Sequence, residues 1–150
     1  MKVILQRSLA SNVIVKEEIV GSIDSGVVIL VGFTHNDTEV EIDYLINKII
    51  NLRIFDDENG VMNRSLIDVS GSILSISQFT LYADTKKGRR PSYVNALEPM
   101  EAKSLYDLFN LKLRDQNIHV EEGIFGADMI VNITNDGPVT IVMESRDDSA

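Results

Sequence analysis

Apolar and polar residues alternate along the first part of the chain in a way that predicts three strands, over residues 1–8, 12–20 and 26–33. In the second of them, Val13 and Val15 alternate with polar neighbours, and Gly21 and Gly26 mark the turns. The third is apolar on both faces, which is typical of a central strand that is covered on each side.

Apolar residues spaced three and four apart predict two helices. The first begins after Thr38, which is expected to form a capping box with Glu41, and it runs to about Leu52. Its buried stripe consists of Ile42, Leu45, Ile46 and Ile49. Pro99 suits the first turn of a second helix, over about 99–115. The inward residues of that helix are Leu105, Leu108, Phe109 and Leu113.

The remaining extended segments are predicted at 53–55, 72–80, 117–122, 128–134 and 139–144. A turn over 56–60 follows the first of them, because Asn59-Gly60 is a strong turn signal. The order of elements is therefore several strands, two strand–helix units and several more strands. This order predicts an α/β domain of layered, largely antiparallel or mixed β-sheets, with the two helices packed on one side.

Composition restricts the class of protein. A chain of 150 residues with 44% hydrophobic residues is expected to form a single domain over 1–150, with a frayed tail at 146–150. Apolar runs are too short to span a membrane or to form a signal peptide, so we expect a soluble, cytoplasmic protein. Without cysteine there are no disulfides, thiolate zinc sites or cysteine nucleophiles. His35 and His119 are too far apart to suggest a metal cluster, and no metal is expected.

The net charge of −9 argues against a nucleic-acid partner, since binding to phosphates normally needs a basic surface. The cations are nevertheless clustered in one predicted loop, which Gly88 and Pro91 mark. Its four basic residues are Lys86, Lys87, Arg89 and Arg90. Alone, this loop reads as solvated surface. Beside an active site, it would be a local clamp for phosphates.

Two short segments are unlike ordinary strands. Ser77-Gln78-Phe79-Thr80 puts hydroxyl and amide groups at the end of an apolar strand, and Gly137-Pro138-Val139-Thr140 interrupts an alternating one. Backbone N–H groups around Phe79 and Thr80, with the neighbouring side chains, could bind a developing oxyanion at an ester carbonyl. A serine-type triad is disfavoured because neither histidine lies near this segment in sequence. Asp84, Glu98 and Asp136 are scattered, so a carboxylate pair is also disfavoured.

Together the two segments resemble the paired signature motifs of the D-aminoacyl-tRNA deacylases. The match continues from Ser77 through Asp84, and the second motif is preceded by the expected Asn135. A third stretch, 125–129, looks like the family segment that lines an adenine pocket, with Phe125, Ala127 and Met129 as lining residues. The resemblance implies the α/β/β fold of the family and hydrolysis of D-aminoacyl-tRNA to free D-amino acid and tRNA, without a cofactor.

The resemblance also implies how the substrate takes part. In the family, the ribose 2′-hydroxyl of the terminal adenosine assists attack on the ester. Gly137-Pro138 is expected to be cis and to enter the active site of the other subunit of a homodimer, where its carbonyls hold a D-residue and exclude an L-residue. Glycine would escape this exclusion, so glycyl-tRNA mischarged on tRNA-Ala is a second expected substrate. Arg7 is implied as a donor that fixes the Gly-Pro loop. Neither a membrane nor DNA is expected as a partner.

Several other interpretations stay open at this stage. Gly-Pro could be a plain turn, Ser-Gln-Phe-Thr a polar strand end, and Arg7 a paired or edge-facing charge. A non-catalytic RNA- or nucleotide-binding module would use the basic loop, although the chain has only 6% aromatic residues and no Trp. An esterase or peptidase that uses Thr80 on small D-amino-acid derivatives would cleave esters lacking ribose. A purely structural dimer module would neither bind RNA nor hydrolyse esters.

Overall fold

A central mixed sheet of five strands separates a pair of helices from a second, three-stranded sheet in the computed structural model, which describes residues 1–145. The strands are β1 (Lys2–Ser8), β2 (Ser11–Val15), β3 (Glu18–Ile23), β4 (Gly26–Gly32), β5 (Phe55–Asp56), β6 (Met62–Arg64), β7 (Ser72–Ser77), β8 (Val120–Glu122), β9 (Ile130–Asn132) and β10 (Asn135–Glu144). The helices are α1 (Glu39–Asn51) and α2 (Pro99–Arg114), and a short 3-10 helix covers Phe79–Tyr82.

The central sheet has the order β10-β1-β4-β7-β8. β1 is antiparallel to both of its neighbours, β10 and β4, whereas β4, β7 and β8 are parallel. The second sheet has the order β3-β2-β9, and β5 pairs with β6 in a small ribbon. The predicted α/β architecture of layered mixed sheets is therefore confirmed.

Each face of the central sheet is covered by its own hydrophobic core, which explains why β4 is apolar on both sides. On one face, Val3 and Ile29 pack in a cluster that includes Leu45 of α1 and Phe109 of α2. On the other face, Val28 of β4 packs in a cluster formed largely with β2, β3 and β7. Both helices thus lie on one side of the sheet, as the sequence predicts.

The predicted ends of the helices agree closely with the structure. Thr38 and Glu41 form the capping box at the start of α1, and Pro99 occupies the first turn of α2. The carboxylate of Glu98 accepts hydrogen bonds from the backbone N–H groups of Met100 and Glu101, at 3.1 and 3.3 Å. In α2, Phe109 and Leu113 are buried as predicted, whereas Leu105 and Leu108 are only half-buried. Tyr106 and Asn110 occupy the other deeply buried positions.

Three strand predictions were wrong in ways that have physical causes. The segment 12–20 is a hairpin, because Lys16 and Glu17 adopt left-handed φ angles of 49° and 69° and reverse the chain. The strand predicted over 72–80 ends at Ser77, where the chain tightens into the 3-10 helix. β10 begins at Asn135 and continues through Pro138, which an edge strand tolerates because one side needs no N–H donors. The predicted frayed tail at 146–150 lies outside the described residues.

The turn at 56–60 connects β5 to β6 as the Asn-Gly signal indicates. Gly60 has a φ of 75°, and the carboxylate of Asp57 accepts hydrogen bonds from Asn59 N and Val61 N, at 2.8 and 3.0 Å. The bond from Val61, followed by that from Asn59, holds the pKa of Asp57 below its usual value. Across residues 1–145, none of the helices has the length and apolar character that crossing a membrane requires.

Candidate active site

A cleft of about 590 Å³ opens where the end of β7 meets the start of α2 and the segment before β9. Three predicted site residues from β7 and its extension and three from the segment 125–129 line it together. These six residues are Ser77, Gln78, Phe79, Phe125, Ala127 and Met129. Two sequence segments that lie more than forty residues apart therefore converge on one site.

The motif at the end of β7 is held close to the neighbouring strand. Ser77 pairs with Val31 of β4, and Gln78 N donates to the Val31 carbonyl at 2.7 Å. Gly32 permits this approach, because a Cβ at that position would lie 2.9 Å from the Gln78 carbonyl oxygen. The backbone of the motif is consequently fixed against the centre of the sheet.

The 3-10 helix decides which groups of the motif are available. Leu81 N donates to the Gln78 carbonyl, so the N–H groups of Phe79 and Thr80 precede the first bond of this helix and have no partner within it. The side-chain amide of Gln78 donates to the Thr80 hydroxyl oxygen. The end of β7 therefore leaves two N–H groups without a partner in the helix, and Gln78 orients the Thr80 hydroxyl. Phe79 lines the cleft, whereas Thr80 is not among its lining residues.

The opposite wall of the cleft is tied to the same strand through one carbonyl. Ser75 O accepts hydrogen bonds from Gly123 N at 3.2 Å and from the Tyr106 hydroxyl at 2.7 Å. The Tyr106 ring also lies 6.0 Å from the ring of Phe125. Burial raises the pKa of Tyr106 to about 12, so its hydroxyl remains a hydrogen-bond donor at neutral pH. Tyr106 thereby links β7 to the wall that carries Phe125, a role that the helical pattern alone does not reveal.

The Gly137-Pro138 motif lies in a wide bulge of the edge strand β10. Asn135 pairs with Ser8 and Thr140 pairs with Gln6. Five residues of β10 therefore span the same length as two residues of β1. The Gly137–Pro138 peptide bond is cis, and both residues are exposed. The Thr140 hydroxyl accepts from Asn135 Nδ2 at 3.0 Å and from Gln6 Nε2 at 3.2 Å, which closes the base of the bulge.

Arg7 anchors this bulge from β1. Its Nε donates to the Asp136 carbonyl at 3.3 Å and lies at the same distance from the Asp136 carboxylate. Its Nη1 donates to the Ile54 carbonyl at 2.8 Å and lies 3.5 Å from the Asp56 carboxylate. The side chain is only 11% exposed, so these bonds are well shielded from water. Arg7 is thus a paired charge that also contacts the Gly-Pro loop.

Within one chain, the two signature motifs lie far apart. Strand pairing across the sheet connects, in order, Ser77, Val31, Val3 and Met143. Gly137 instead lies beside Arg7, at the other end of β1. The two motifs are thus separated by three inter-strand spacings across the sheet and by four residues along β1. These two perpendicular displacements give a straight-line distance of roughly 20 Å. A single chain therefore does not bring both motifs to one site.

The basic loop lies directly after the 3-10 helix. Two backbone hydrogen bonds between Asp84 and Ser92, of 2.7 and 2.9 Å, close its base. All four of its cations are exposed, and within residues 1–145 none of them forms an ion pair with an acidic side chain. Their charge is therefore available to an external anion.

Neither histidine completes a triad. His119 precedes β8 and its carbonyl accepts from Ile73 N, which puts it at the opposite end of β7 from Ser77. His35 Nε2 lies 2.6 Å from the carbonyl oxygen of Val94. The three acids considered above are also apart: Asp84 closes the basic loop, Glu98 caps α2 and Asp136 contacts Arg7. Among the described residues, no three His, Cys, Asp or Glu side chains are grouped in a way that could hold a metal ion.

Part of the cleft comes from residues that the sequence did not indicate. The lining also includes Tyr93, the segment 96–99, Ala102 of α2, and Phe33, which follows β4. An aromatic residue soon after a basic loop is a signal that could have identified Tyr93. The other positions depend on how distant segments cross, which no local pattern encodes.

Comparison with known proteins identifies the family. A sequence model of the family described as D-Tyr-tRNA(Tyr) deacylase matches residues 4–144. A D-aminoacyl-tRNA deacylase of Bacillus cytotoxicus is 57% identical over 146 residues, which cover 97% of this chain and 100% of that protein. Among solved structures, one described as c-Myc DNA unwinding element binding protein has a TM-score of 0.92 and 38% identity, covering 98% of this chain and 100% of that one.

A second solved structure, described as a probable eukaryotic D-amino acid tRNA deacylase, has a TM-score of 0.81 at 18% identity, covering 95% of this chain and 98% of that one. At this identity the likeness supports the fold alone. The family match and the Bacillus relative, in contrast, both extend over nearly the whole length. The chain therefore belongs to the D-Tyr-tRNA(Tyr) deacylase family.

Proposed function

We propose that this protein hydrolyses the ester bond of D-aminoacyl-tRNA in the cytoplasm, releasing free D-amino acid and tRNA. Glycyl-tRNA mischarged on tRNA-Ala is a second proposed substrate. Membership of the deacylase family supports a hydrolase that acts on the aminoacyl-tRNA ester. The observation that carries the proposal is the convergence of the 77–79 and 125–129 segments on one cleft.

In the proposed complex, the terminal adenosine of the tRNA enters this cleft. Phe125, Ala127 and Met129 would contact the adenine, since they supply apolar surface on one wall. The ester carbonyl would then face the N–H groups of Phe79 and Thr80, which can donate to the oxyanion that develops during attack. Ser77 and the side chain of Gln78 would help to orient the substrate.

The proposed chemistry uses the substrate's own hydroxyl. Water attacks the ester carbonyl carbon with assistance from the ribose 2′-hydroxyl and gives up a proton. The bond to the 3′-oxygen then breaks, and that oxygen receives the proton lost by the water as the tRNA leaves. The geometry favours this route because His119 lies at the opposite end of β7, His35 Nε2 contacts the Val94 carbonyl, and the Thr80 hydroxyl interacts with Gln78, with no base evident beside it.

A homodimer would supply the missing half of the site. We propose that Gly137-Pro138 of one copy enters the cleft of the other, because roughly 20 Å separates the two motifs within a chain. Its main-chain carbonyls would hold the α-amino group of a D-residue, while the side chain of an L-residue would collide with the main chain. Val139 and Thr140 continue the bulge, and Arg7 keeps it in position.

This arrangement predicts complementation between two inactive variants. One variant carries replacements at Gln78, Phe79 and Thr80, and the other at Gly137 and Pro138. After random exchange of subunits at equal concentration, half of the dimers are mixed and each has one intact site, so we expect about one quarter of the wild-type activity. The measurement is the initial rate of D-tyrosyl-tRNA hydrolysis before and after exchange.

The control for complementation is a mixture of two different variants that are both altered at Gly137-Pro138, which cannot regenerate a site. Subunit exchange is verified with differently tagged chains. If verified heterodimers remain inactive, each site is built within one chain and the shared-site proposal is wrong.

We also propose that Lys86, Lys87, Arg89 and Arg90 contact phosphates of the tRNA. Replacing Lys86 and Lys87 by alanine is expected to weaken tRNA binding and to reduce the slope of log affinity against log salt concentration by roughly one per lost contact. Binding is measured over a series of salt concentrations. An Arg64→Ala, Lys103→Ala double variant removes two cations that already pair with acids, and it is the matched control.

If both double variants have the wild-type salt slope, the loop is plain surface. We propose RNA and not DNA as the partner, although a protein of the same fold is described as binding DNA. A net charge of −9 and one loop of four cations leave few contacts for an extended duplex.

A further inference from the structure

An exposed aromatic pair lies at the rim of the cleft and has no part in the chemistry described above. The rings of Phe79 and Tyr93 are 5.0 Å apart and meet edge to face, at 68°. Phe79 is 56% exposed and Tyr93 42%, although both residues line the cleft. The proposed catalysis uses the backbone N–H of Phe79, so its side chain is unaccounted for.

The pair is held on a well-anchored part of the chain. Tyr93 directly follows the pair of hydrogen bonds between Asp84 and Ser92, and its carbonyl accepts from Ala96 N at 3.0 Å. Ala96 in turn pairs with Thr34 in an isolated bridge. Phe79 is the first residue of the 3-10 helix. Each ring is therefore carried by a backbone segment that hydrogen bonds hold in place.

Positive charge lies close to Tyr93 along the chain. The basic loop occupies the residues between Asp84 and Ser92, and Arg90 precedes Tyr93 by only three positions. Its four cations have no acidic partner among the described residues. Exposed aromatic rings close along the chain to cations without acidic partners are a combination that binds single-stranded nucleic acid, because bases stack on the rings while phosphates contact the cations.

We propose that Tyr93 and Phe79 form a stacking platform for the unpaired nucleotide next to the terminal adenosine of the substrate. This inference rests on the proposed function, in which that adenosine occupies the cleft. The preceding nucleotide must then leave through the rim, where the two rings are exposed, and its phosphate comes toward the basic loop. Stacking is indifferent to base identity, so the platform would recognise a single-stranded 3′ end in general.

The test compares two substrates that differ only in the presence of the preceding nucleotides: D-tyrosyl-tRNA and the D-tyrosyl ester of adenosine. For Tyr93→Ala we expect kcat/KM on the tRNA to fall about 5- to 100-fold, mainly through KM, as is usual for the loss of one stacked base. The fall on the adenosine ester is expected to be at least about fivefold smaller. Tyr93→Phe keeps the ring and is expected to behave as the wild type on both substrates.

Leu111→Ala is the matched control, since Leu111 is also an exposed apolar residue, at 55%, but lies near the other end of α2. A direct readout is the fluorescence of 2-aminopurine at the position before the terminal adenosine. We expect quenching on binding to the wild type and to Tyr93→Phe, and loss of that quenching in Tyr93→Ala.

Equal losses of Tyr93→Ala on both substrates, or quenching that persists in that variant, would overturn the platform. These outcomes differ from failure of the proposed function, in which the wild-type protein itself hydrolyses neither D-tyrosyl ester. Thermal melting of each variant checks folding. If Tyr93→Ala does not fold, Phe79→Leu keeps the backbone N–H and truncates the other ring of the pair, and the same comparison of substrates decides the proposal.

Discussion

Replacing the ribose 2′-hydroxyl of the terminal adenosine by hydrogen is expected to lower the single-turnover rate of ester hydrolysis roughly 10³-fold or more. Thr80→Ala is expected to lower it only about 10- to 100-fold or less, which corresponds to one hydrogen bond of roughly 1–3 kcal/mol. The order of these two effects distinguishes substrate-assisted catalysis from a nucleophile carried by the protein. Single-turnover conditions keep product release from masking the chemical step.

The expected ranking follows from the surroundings of Thr80. Its hydroxyl oxygen accepts a hydrogen bond from Gln78, and His119 lies at the far end of β7. A threonine nucleophile would need a base beside it to remove its proton. Thr80→Ser retains the hydroxyl and is expected to stay within a few-fold of the wild type. Full activity on the 2′-deoxy substrate, or an acyl group trapped on Thr80, would overturn the mechanism even if the selection for D-residues held.

The second large effect concerns selection by handedness across different side chains. We expect D-aminoacyl-tRNAs with aromatic, aliphatic and charged side chains all to be hydrolysed, with each L counterpart at least about 100-fold slower, which corresponds to about 2.7 kcal/mol. The proposed selection depends on main-chain groups at Gly137-Pro138 that contact the substrate near its Cα. The chemical nature of the side chain therefore has little influence on it. Glycyl-tRNA has no side chain to collide and is expected to be cleaved.

Arg7 supplies a test of that selection within the protein. Arg7→Ala removes the bonds to Asp136 and Ile54 that hold the bulge, so we expect the ratio of D- to L-hydrolysis to fall. Arg114→Ala is the matched control, because Arg114 also pairs with a carboxylate, that of Glu122, and donates to the Val120 carbonyl, but at β8, the opposite edge of the sheet from β10. A folded Arg7→Ala protein with the wild-type ratio would mean that the bulge is held without Arg7. Selection that varies strongly with side-chain chemistry would argue against main-chain recognition.

Elements controlled by neighbouring residues were predictable from the sequence. The capping box at Thr38 and the proline at 99 mark the starts of α1 and α2, because both signals act within one helical turn. The apolar run of β4 correctly indicated a strand that is covered on both faces. The Asn-Gly pair located the turn between β5 and β6.

Elements that depend on tertiary pairing were not predictable. The turn at Lys16-Glu17 needs two left-handed residues but contains no glycine or asparagine, so the hairpin reads as one continuous strand. Pro138 argued for a break, because the sequence does not reveal that β10 is an edge strand in which proline is tolerated. The end of β7 at Ser77 likewise depends on pairing with β4.

The motifs of the site were recognisable, but their placement was not. The composition of 77–79 and 125–129 identified two walls of the cleft, whereas Tyr93, Phe33 and Ala102 enter it only because the chain crosses there. The distance between the Ser-Gln-Phe-Thr and Gly-Pro motifs follows from strand order and register, which couple β7 to β10 through two intervening strands. Only this long-range arrangement indicates that one chain holds half of the proposed site.

The most direct test of the central claim is the hydrolysis of matched D- and L-tyrosyl-tRNA by the wild-type protein. The two substrates share the tRNA, the ester and the side chain, so any difference in rate comes from handedness at one carbon. We expect rapid release of D-tyrosine and survival of the L-ester over the same period. Comparable rates on the two esters, or no hydrolysis of either, would contradict the account.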